Sequence, residues 1–145
     1  MSTTQETNIR EIDIRDEEQW KYLLLQLSPN KVPKLRLDWL RTDHNFFGIV
    51  IDVDGIAIGF GSISFFQSSL KGKAGVIEDI IVDKNYQGMG YGRKILRRLI
   101  EEAKKRMADL IVLTSNPSRE IARGLYESEG FSIYSTGFFT LQLNK

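Results

Sequence analysis

The sequence predicts a mixed α/β domain: a mostly antiparallel sheet of about six to seven strands, flanked on both faces by about four helices. Three observations carry that expectation. Strand-like apolar runs and amphipathic helical stretches follow one another in the order β-α-α-β-β-β-α-β-α-β-β. Such an order pairs neighbouring strands antiparallel through short turns, yet requires at least one parallel crossover through a helix. No repeat, low-complexity tract or linker interrupts the 145 residues, a length that suits one domain, 1–145, with a real core.

Taken in chain order, residues 8–15 set Ile9, Ile12 and Ile14 among charged residues in imperfect alternation and read as the first strand. Asp16 is suited to cap a helix reaching about Leu27, with Trp20, Leu23, Leu24 and Leu27 at helical spacing, and Pro29 ends it. Residues 31–41 read as a shorter second helix carrying Leu35, Trp39 and Leu40. Two β-rich runs, 46–53 and 56–66, are joined through Asp54-Gly55, residue types that tolerate the positive φ of a tight hairpin. Residues 67–75 read as a polar loop, and 76–82 as an apolar strand interrupted by Glu78 and Asp79. Residues 91–107 put Ile95, Leu96, Leu99, Ile100, Ala103 and Met107 on one stripe of a helix. A short strand at 110–114 follows. Pro117 then opens a helix with Ile121, Ala122, Leu125 and Tyr126 on its inner face, which Gly130 ends. Residues 131–134 and 138–143 close the chain as a hairpin.

Composition removes several chemistries. There is no cysteine, hence no disulfide, thiolate metal site or cysteine nucleophile. His44, the single histidine, reads as a loop or strand-edge residue, so neither a Ser-His-Asp triad nor a metal centre is expected. Twenty basic residues against 19 acidic ones give a net charge of +1. That balance predicts neither a nucleic-acid nor a membrane partner. The basic helix from Arg93 to Arg106 is interleaved with Glu101 and Glu102, as a solvated face would be. Residues 1–10 lack the apolar core of a signal peptide and no run reaches the length of a membrane span, so a cytoplasmic protein is expected.

The most informative segment is Gln87-Gly88-Met89-Gly90-Tyr91-Gly92, between an apolar strand and an amphipathic helix. Glycines let main-chain N–H groups approach an anion, and the positive end of the helix dipole favours a phosphate there. Arg93, Lys94, Arg97 and Arg98 add positive charge where helices ordinarily prefer acids, a choice better explained by an anionic ligand than by helix stability. A dinucleotide fingerprint would need G-x-G-x-x-G and an acid at the end of a second strand, and a P-loop would need Ser or Thr after Gly-Lys. Neither pattern is met.

The Gln-x-x-Gly-x-Gly spacing of Gln87, Gly90 and Gly92 resembles the acetyl-CoA signature of the GNAT superfamily of N-acetyltransferases. Residues 77–82 (IEDIIV) precede it, and Asn116 and 125–131 (LYESEGF) follow at the family's spacing. The resemblance implies the GNAT fold and acetyl-CoA as cosubstrate without a metal. Gln87, Gly88, Met89, Gly90, Tyr91, Gly92 and Arg93 would then hold the pyrophosphate. The main chain of Ile80, Ile81 and Val82 would serve the oxyanion and the pantetheine arm, and Asn116 would touch that arm or cap the next helix.

Acetyl transfer to an amine asks for a base, donors to the oxyanion, and a proton for the departing thiolate. Tyr126 matches the family's general-acid tyrosine, with core packing as the other reading. Glu78 and Asp79 interrupt an apolar strand where carboxylates are costly unless paired or working. Strand alternation lets only one of them face the reacting centre. Glu78 is taken as the base, directly or through water, and Asp79 as a substrate contact; a solvated edge pair is the alternative. Without a cysteine, the expectation is direct attack by a primary amine within a ternary complex. A small amine metabolite suits the near-neutral charge best, while a protein N-terminus, a lysine, or a non-catalytic acyl-CoA-binding module stay open. Small domains of this kind often pair through terminal strands, so a homodimer is compatible with the sequence.

Overall fold

A computed structural model describes residues 5–34 and 36–143. The elements are β1 (Thr7–Glu11), α1 (Glu17–Leu27), α2 (Leu37–Thr42), β2 (Phe46–Val53), β3 (Ile56–Ser68), β4 (Gly72–Val82), α3 (Tyr91–Lys105), β5 (Leu110–Val112) and α4 (Glu120–Ser128). Short 3-10 turns at Ile14–Asp16 and Lys84–Tyr86 precede α1 and the glycine loop. Residues up to Leu113 form one compact unit, and those from Thr114 form another.

In the first unit the strands lie in the order β1-β2-β3-β4-β5, antiparallel except for the parallel β4–β5 pair. The parallel crossover runs through α3, as strand–helix–strand geometry demands. Asp54 and Gly55 turn the β2–β3 hairpin with φ of 52° and 86°, the two positive values a tight hairpin needs.

Neighbouring strand residues point to opposite faces, and the two faces receive different helices. Phe60 meets Trp20 of α1 edge-to-face at 6.3 Å, within a core shared by Ile12, Leu23, Val50 and Ile81. Gly59 and Gly61 lie beneath α3: a Cβ on Gly61 would collide with the Ile95 side chain. These glycines bring α3 unusually close to the sheet and so fix where its N-terminus emerges.

Several local expectations shift, each for a tertiary reason. The first strand ends at Glu11, because Asp13 and Asp16 build a capping box around the 3-10 turn. Asp16 makes no capping bond to α1. Its carboxylate instead receives Arg10 at 2.8 Å, while the same guanidinium reaches Asp52 at 2.6 Å. The second helix begins only at Leu37, since Pro33 pushes Val32 toward extended backbone and has no N–H to give. Leu35 lies outside the described residues. Residues 67–75, read as a loop, largely continue β3 and β4, whose ladder runs out to Ser68 opposite Gly72. Backbone pairing needs no apolar side chains.

The second unit holds α4, which starts at Glu120 rather than at Pro117. Its end forms a Schellman motif: Phe131 N–H donates to Tyr126 C=O at 3.1 Å and Gly130 N–H to Glu127 C=O at 3.0 Å, with Gly130 at φ 98°. Ile121 is 93% exposed and takes no part in an inner face. The closing hairpin is not formed; residues 131–143 carry no strand ladder, so the sheet has five strands among the described residues rather than six or seven. High β-propensity there builds no ladder, and propensity alone makes no sheet.

Candidate functional site

The site is built where β4 passes through the 3-10 turn and glycine loop into α3. Pairing of β4 with β5 stops at Val76 opposite Val112. Along residues 77–82 no strand among the described residues occupies that edge, while β3 holds the other. Alternation along this segment turns the Ile81 groups, like the Asp83 N–H bonded to Ile58 C=O, toward β3 and the Val82 N–H toward the edge that no described strand occupies, with Ile80 in the irregular stretch before it. No sequence pattern signals this open edge.

Opposite Gly61 the strand bulges. Phe60 pairs with Ile81 and Ser62 with Glu78, so Asp79 and Ile80 together face one residue. Asp79 has φ 56°, in the left-handed region. The buried Ser62 hydroxyl donates to the Glu78 carbonyl at 3.3 Å. The alternation assumed from the sequence is thus broken at this pair. Ile80 turns to the Gly61 side beneath α3, and Ile81 enters the Trp20 core.

Glu78 and Asp79 are solvent-exposed, yet neighbouring protein partly desolvates both. Burial raises the Glu78 carboxyl above its ordinary value, and the adjacent Asp79 charge raises it further. Burial likewise raises Asp79. A carboxylate raised in this way is a stronger base than one in water.

The loop is fastened at its head. Buried Asp83 donates its N–H to Ile58 C=O at 2.8 Å and accepts Asn85 N–H at 2.9 Å. The Gln87 side-chain amide donates back to Val82 C=O at 3.0 Å, so this residue clamps the loop to the strand end. Gly88 and Gly90 adopt φ of 79° and 85°, and a Cβ on either would meet nothing within 4 Å. Met89 between them is 60% exposed. Gly90 is the N-cap of α3 and has no side chain to cap it, and no acidic residue sits in the first turn. Tyr91, Gly92 and Arg93 open the helix half-buried, with Lys94 over the Tyr91 ring at 5.6 Å. An uncapped helix N-terminus behind two open glycines can receive an anion on its main-chain amides.

The remaining expected residues belong to the second unit. Asn116 Oδ1 accepts from Ser118 N–H and hydroxyl, each at 2.9 Å, and so closes a turn; the N-cap position of α4 is Arg119. Tyr126 is buried, with Phe131 edge-to-face at 6.1 Å, the apolar contact that accompanies a Schellman end. Burial raises its phenol above the ordinary value, against a smaller lowering by Arg119, so it stays protonated at neutral pH. His44 is exposed in the turn before β2, where its carbonyl accepts from Arg106 at 2.8 Å.

Sequence reasoning missed the bulge, the Ser62 contact, the Asp83 cap and Gln26, whose side-chain oxygen accepts Lys84 N–H at 3.1 Å. Only Asp83 left a local trace, as an Asp two residues before Asn in a turn.

A profile of the Acetyltransferase (GNAT) family matches residues 9–131. The chain is similar to an L-amino acid N-acyltransferase of Escherichia coli (strain K12), 28% identical over 100 residues, 68% of this chain and 58% of that protein. It is also similar to the ribosomal protein bS18-alanine N-acetyltransferase of the same strain, 43% identical over 54 residues, 37% of this chain and 36% of that one. The matches thus span less than two thirds of either relative. An aminoglycoside N-acetyltransferase solved in complex with CoA shares the fold, with a TM-score of 0.84 at 17% identity over 99% of both chains.

Proposed function

The chain belongs to the GNAT acetyltransferase family, and from that premise we propose that residues 1–145 act as a single N-acetyltransferase domain that moves an acetyl group from acetyl-CoA to the primary amine of a small metabolite. The observation that carries this reading is the uncapped start of α3 behind Gly88 and Gly90, whose missing Cβ atoms leave open space. That cradle fits a pyrophosphate: no side chain caps the helix start, its dipole favours an anion, and the glycines let one approach.

Bound acetyl-CoA would supply an activated acyl carbon and a thiolate leaving group. Main-chain amides of Gln87, Gly88, Met89, Gly90, Tyr91, Gly92 and Arg93 would hold the pyrophosphate, and the strand segment Ile80, Ile81 and Val82, chiefly through the outward Val82 N–H, would offer hydrogen bonds to the pantetheine arm and to the oxygen that gathers charge. Glu78, raised by burial, takes the proton from the amine directly or through one water. Asp79 contacts the acceptor's ammonium. Tyr126 gives the thiolate its proton; the sequence resemblance carries that role, and its protonated state supports it. Asn116 contacts the cofactor arm on the same resemblance, although its Oδ1 is already engaged with Ser118. As the carbon–nitrogen bond forms, the carbon–sulfur bond breaks, and no covalent enzyme adduct is needed.

The test is thiol release from acetyl-CoA over a panel of small amines, amino acids and peptides with free N-termini or lysines. Turnover with a small amine is expected. Turnover with peptides alone would reassign the acceptor, and binding of acetyl-CoA without release on any amine would make the chain a non-catalytic module.

A further inference from the structure

We infer that Gln26 is a positioning residue that ties the last turn of α1 to the head of the glycine loop, so that acetyl-CoA binding and the setting of α1 are coupled. The inference rests on the loop being the pyrophosphate site, and adds to it an element no loop motif contains.

The link is geometric. Gln26 Oε1 accepts the main-chain N–H of Lys84 at 3.1 Å, across 58 residues of sequence. Lys84 opens the 3-10 turn that delivers the chain to Gln87 and the glycines. That turn is held by three other bonds: Asp83 N–H to Ile58 C=O, Asn85 N–H to the Asp83 carboxylate, and Tyr86 N–H to Asp83 C=O at 2.8 Å. Ile58 fastens it to the sheet and Asp83 to itself; Gln26 fastens it to a helix. A second contact runs the same way. Ile81, near the end of β4, is buried in the core with Trp20 and Leu23 of α1. Helix and loop are therefore joined by one apolar and one polar contact on either side of Val82.

The Gln26 bond also carries a local disadvantage. A main-chain N–H can only donate, so the amide oxygen must face Lys84 and the amide nitrogen must point away. That Nε2 atom is buried with no hydrogen-bond partner among the described residues. A buried donor without an acceptor opposes folding, whereas leucine there would carry no such penalty. Gln26 is thus a poor choice for stability and a good one for holding Lys84.

A hydrogen bond that steadies the loop makes binding at the loop steady α1, because coupling is reciprocal. Acetyl-CoA should slow amide hydrogen exchange in the last turn of α1. In Gln26→Leu that protection should vanish and the Kd for acetyl-CoA should rise about five- to tenfold, as one neutral hydrogen bond allows. The Tm should hardly move, because the unpaired amide leaves together with the bond. Gln26→Glu keeps an acceptor for Lys84 and should restore both affinity and protection. A Gln26→Leu protein that binds acetyl-CoA like the wild type, or an α1 whose exchange ignores acetyl-CoA, overturns the inference. The exchange experiment needs no variant, so a folding failure cannot shield the idea. Gly90→Ala separates the two layers. If it weakens binding while Gln26→Leu does not, only the coupling falls; if neither does, the loop assignment falls and the coupling with it.

Discussion

Replacing Gly90 and Gly55 by alanine, one at a time, separates what the loop does for the fold from what it does for a ligand. The two glycines have nearly the same backbone, φ 85° and 86°, and a Cβ on either would meet nothing within 4 Å. Gly55 turns the β2–β3 hairpin, whereas Gly90 begins α3. An alanine held in the left-handed region costs about 1–2 kcal/mol at either position. For a domain of this size that lowers Tm by about 2–8 °C. No clash adds to the cost, so both variants should unfold at similarly reduced temperatures. Their binding should differ. The new methyl at Gly90 occupies the space through which an anion reaches the α3 amides, and losing one charge-assisted hydrogen bond costs about 1.5–3 kcal/mol. Titration calorimetry with acetyl-CoA should therefore show about 10- to 100-fold weaker binding for Gly90→Ala and unchanged binding for Gly55→Ala. Equal losses in both, or none at Gly90, would refute the assignment of the loop.

Other perturbations test other parts of the molecule. Glu78→Gln should cut turnover by about 10²–10⁴-fold and abolish the acidic limb of the pH profile of kcat/KM, which the raised Glu78 carboxyl sets above the usual carboxylate range. Because its folded pKa lies above the unfolded one, the group favours folding below the ordinary carboxylate pKa and loses that contribution as pH rises through the raised value. The variant should therefore melt slightly higher than the wild type at neutral pH. Arg10→Leu strands the buried carboxylates of Asp16 and Asp52 and should cost about 3–5 kcal/mol in urea unfolding. Burial alone would raise Asp16, but the Arg10 bond and the Asp13 N–H more than offset it, so its folded pKa is lowered. Stability from that shift is present at neutral pH and lost as pH falls through the lowered pKa, and the variant should lack this acid sensitivity. Met107, 83% exposed with φ 59°, closes the C-terminus of α3 in a glycine conformation. Met107→Gly should stabilise by about 0.5–1 kcal/mol, read as a rise in Tm. Tyr126→Phe should lower turnover far more than acetyl-CoA affinity, and equal activity would leave Tyr126 with its packing role against Phe131 alone.

The elements most legible in the sequence are those whose pattern is local. The stripe of Ile95, Leu96, Leu99 and Ala103 specifies α3, whose observed end at Lys105 lies two residues short of the expectation. The Asp54-Gly55 turn sets β2 and the start of β3, because positive φ at two successive positions admits few residue types. The glycine loop is legible for the same reason: Gly88 and Gly90 take backbone conformations that other residues resist. Expectations failed where a segment's state depends on a distant partner. The hairpin at residues 131–143 has the composition of strands but no ladder, and residues 67–75 have the composition of a loop but a ladder nonetheless.

The sequence by itself determined the family resemblance, the alternation of strands and helices, and the glycine loop before α3, since all three are written in spacing and in residues with restricted backbone choices. Tertiary structure alone decided that the β4–β5 pairing stops at Val76, that Asp79 and Ile80 bulge against Gly61, and that Gln26 reaches Lys84. Each of these joins residues far apart along the chain. Their geometry is set by which strand edge finds a partner and which helix lies over which glycine, and no local pattern encodes that.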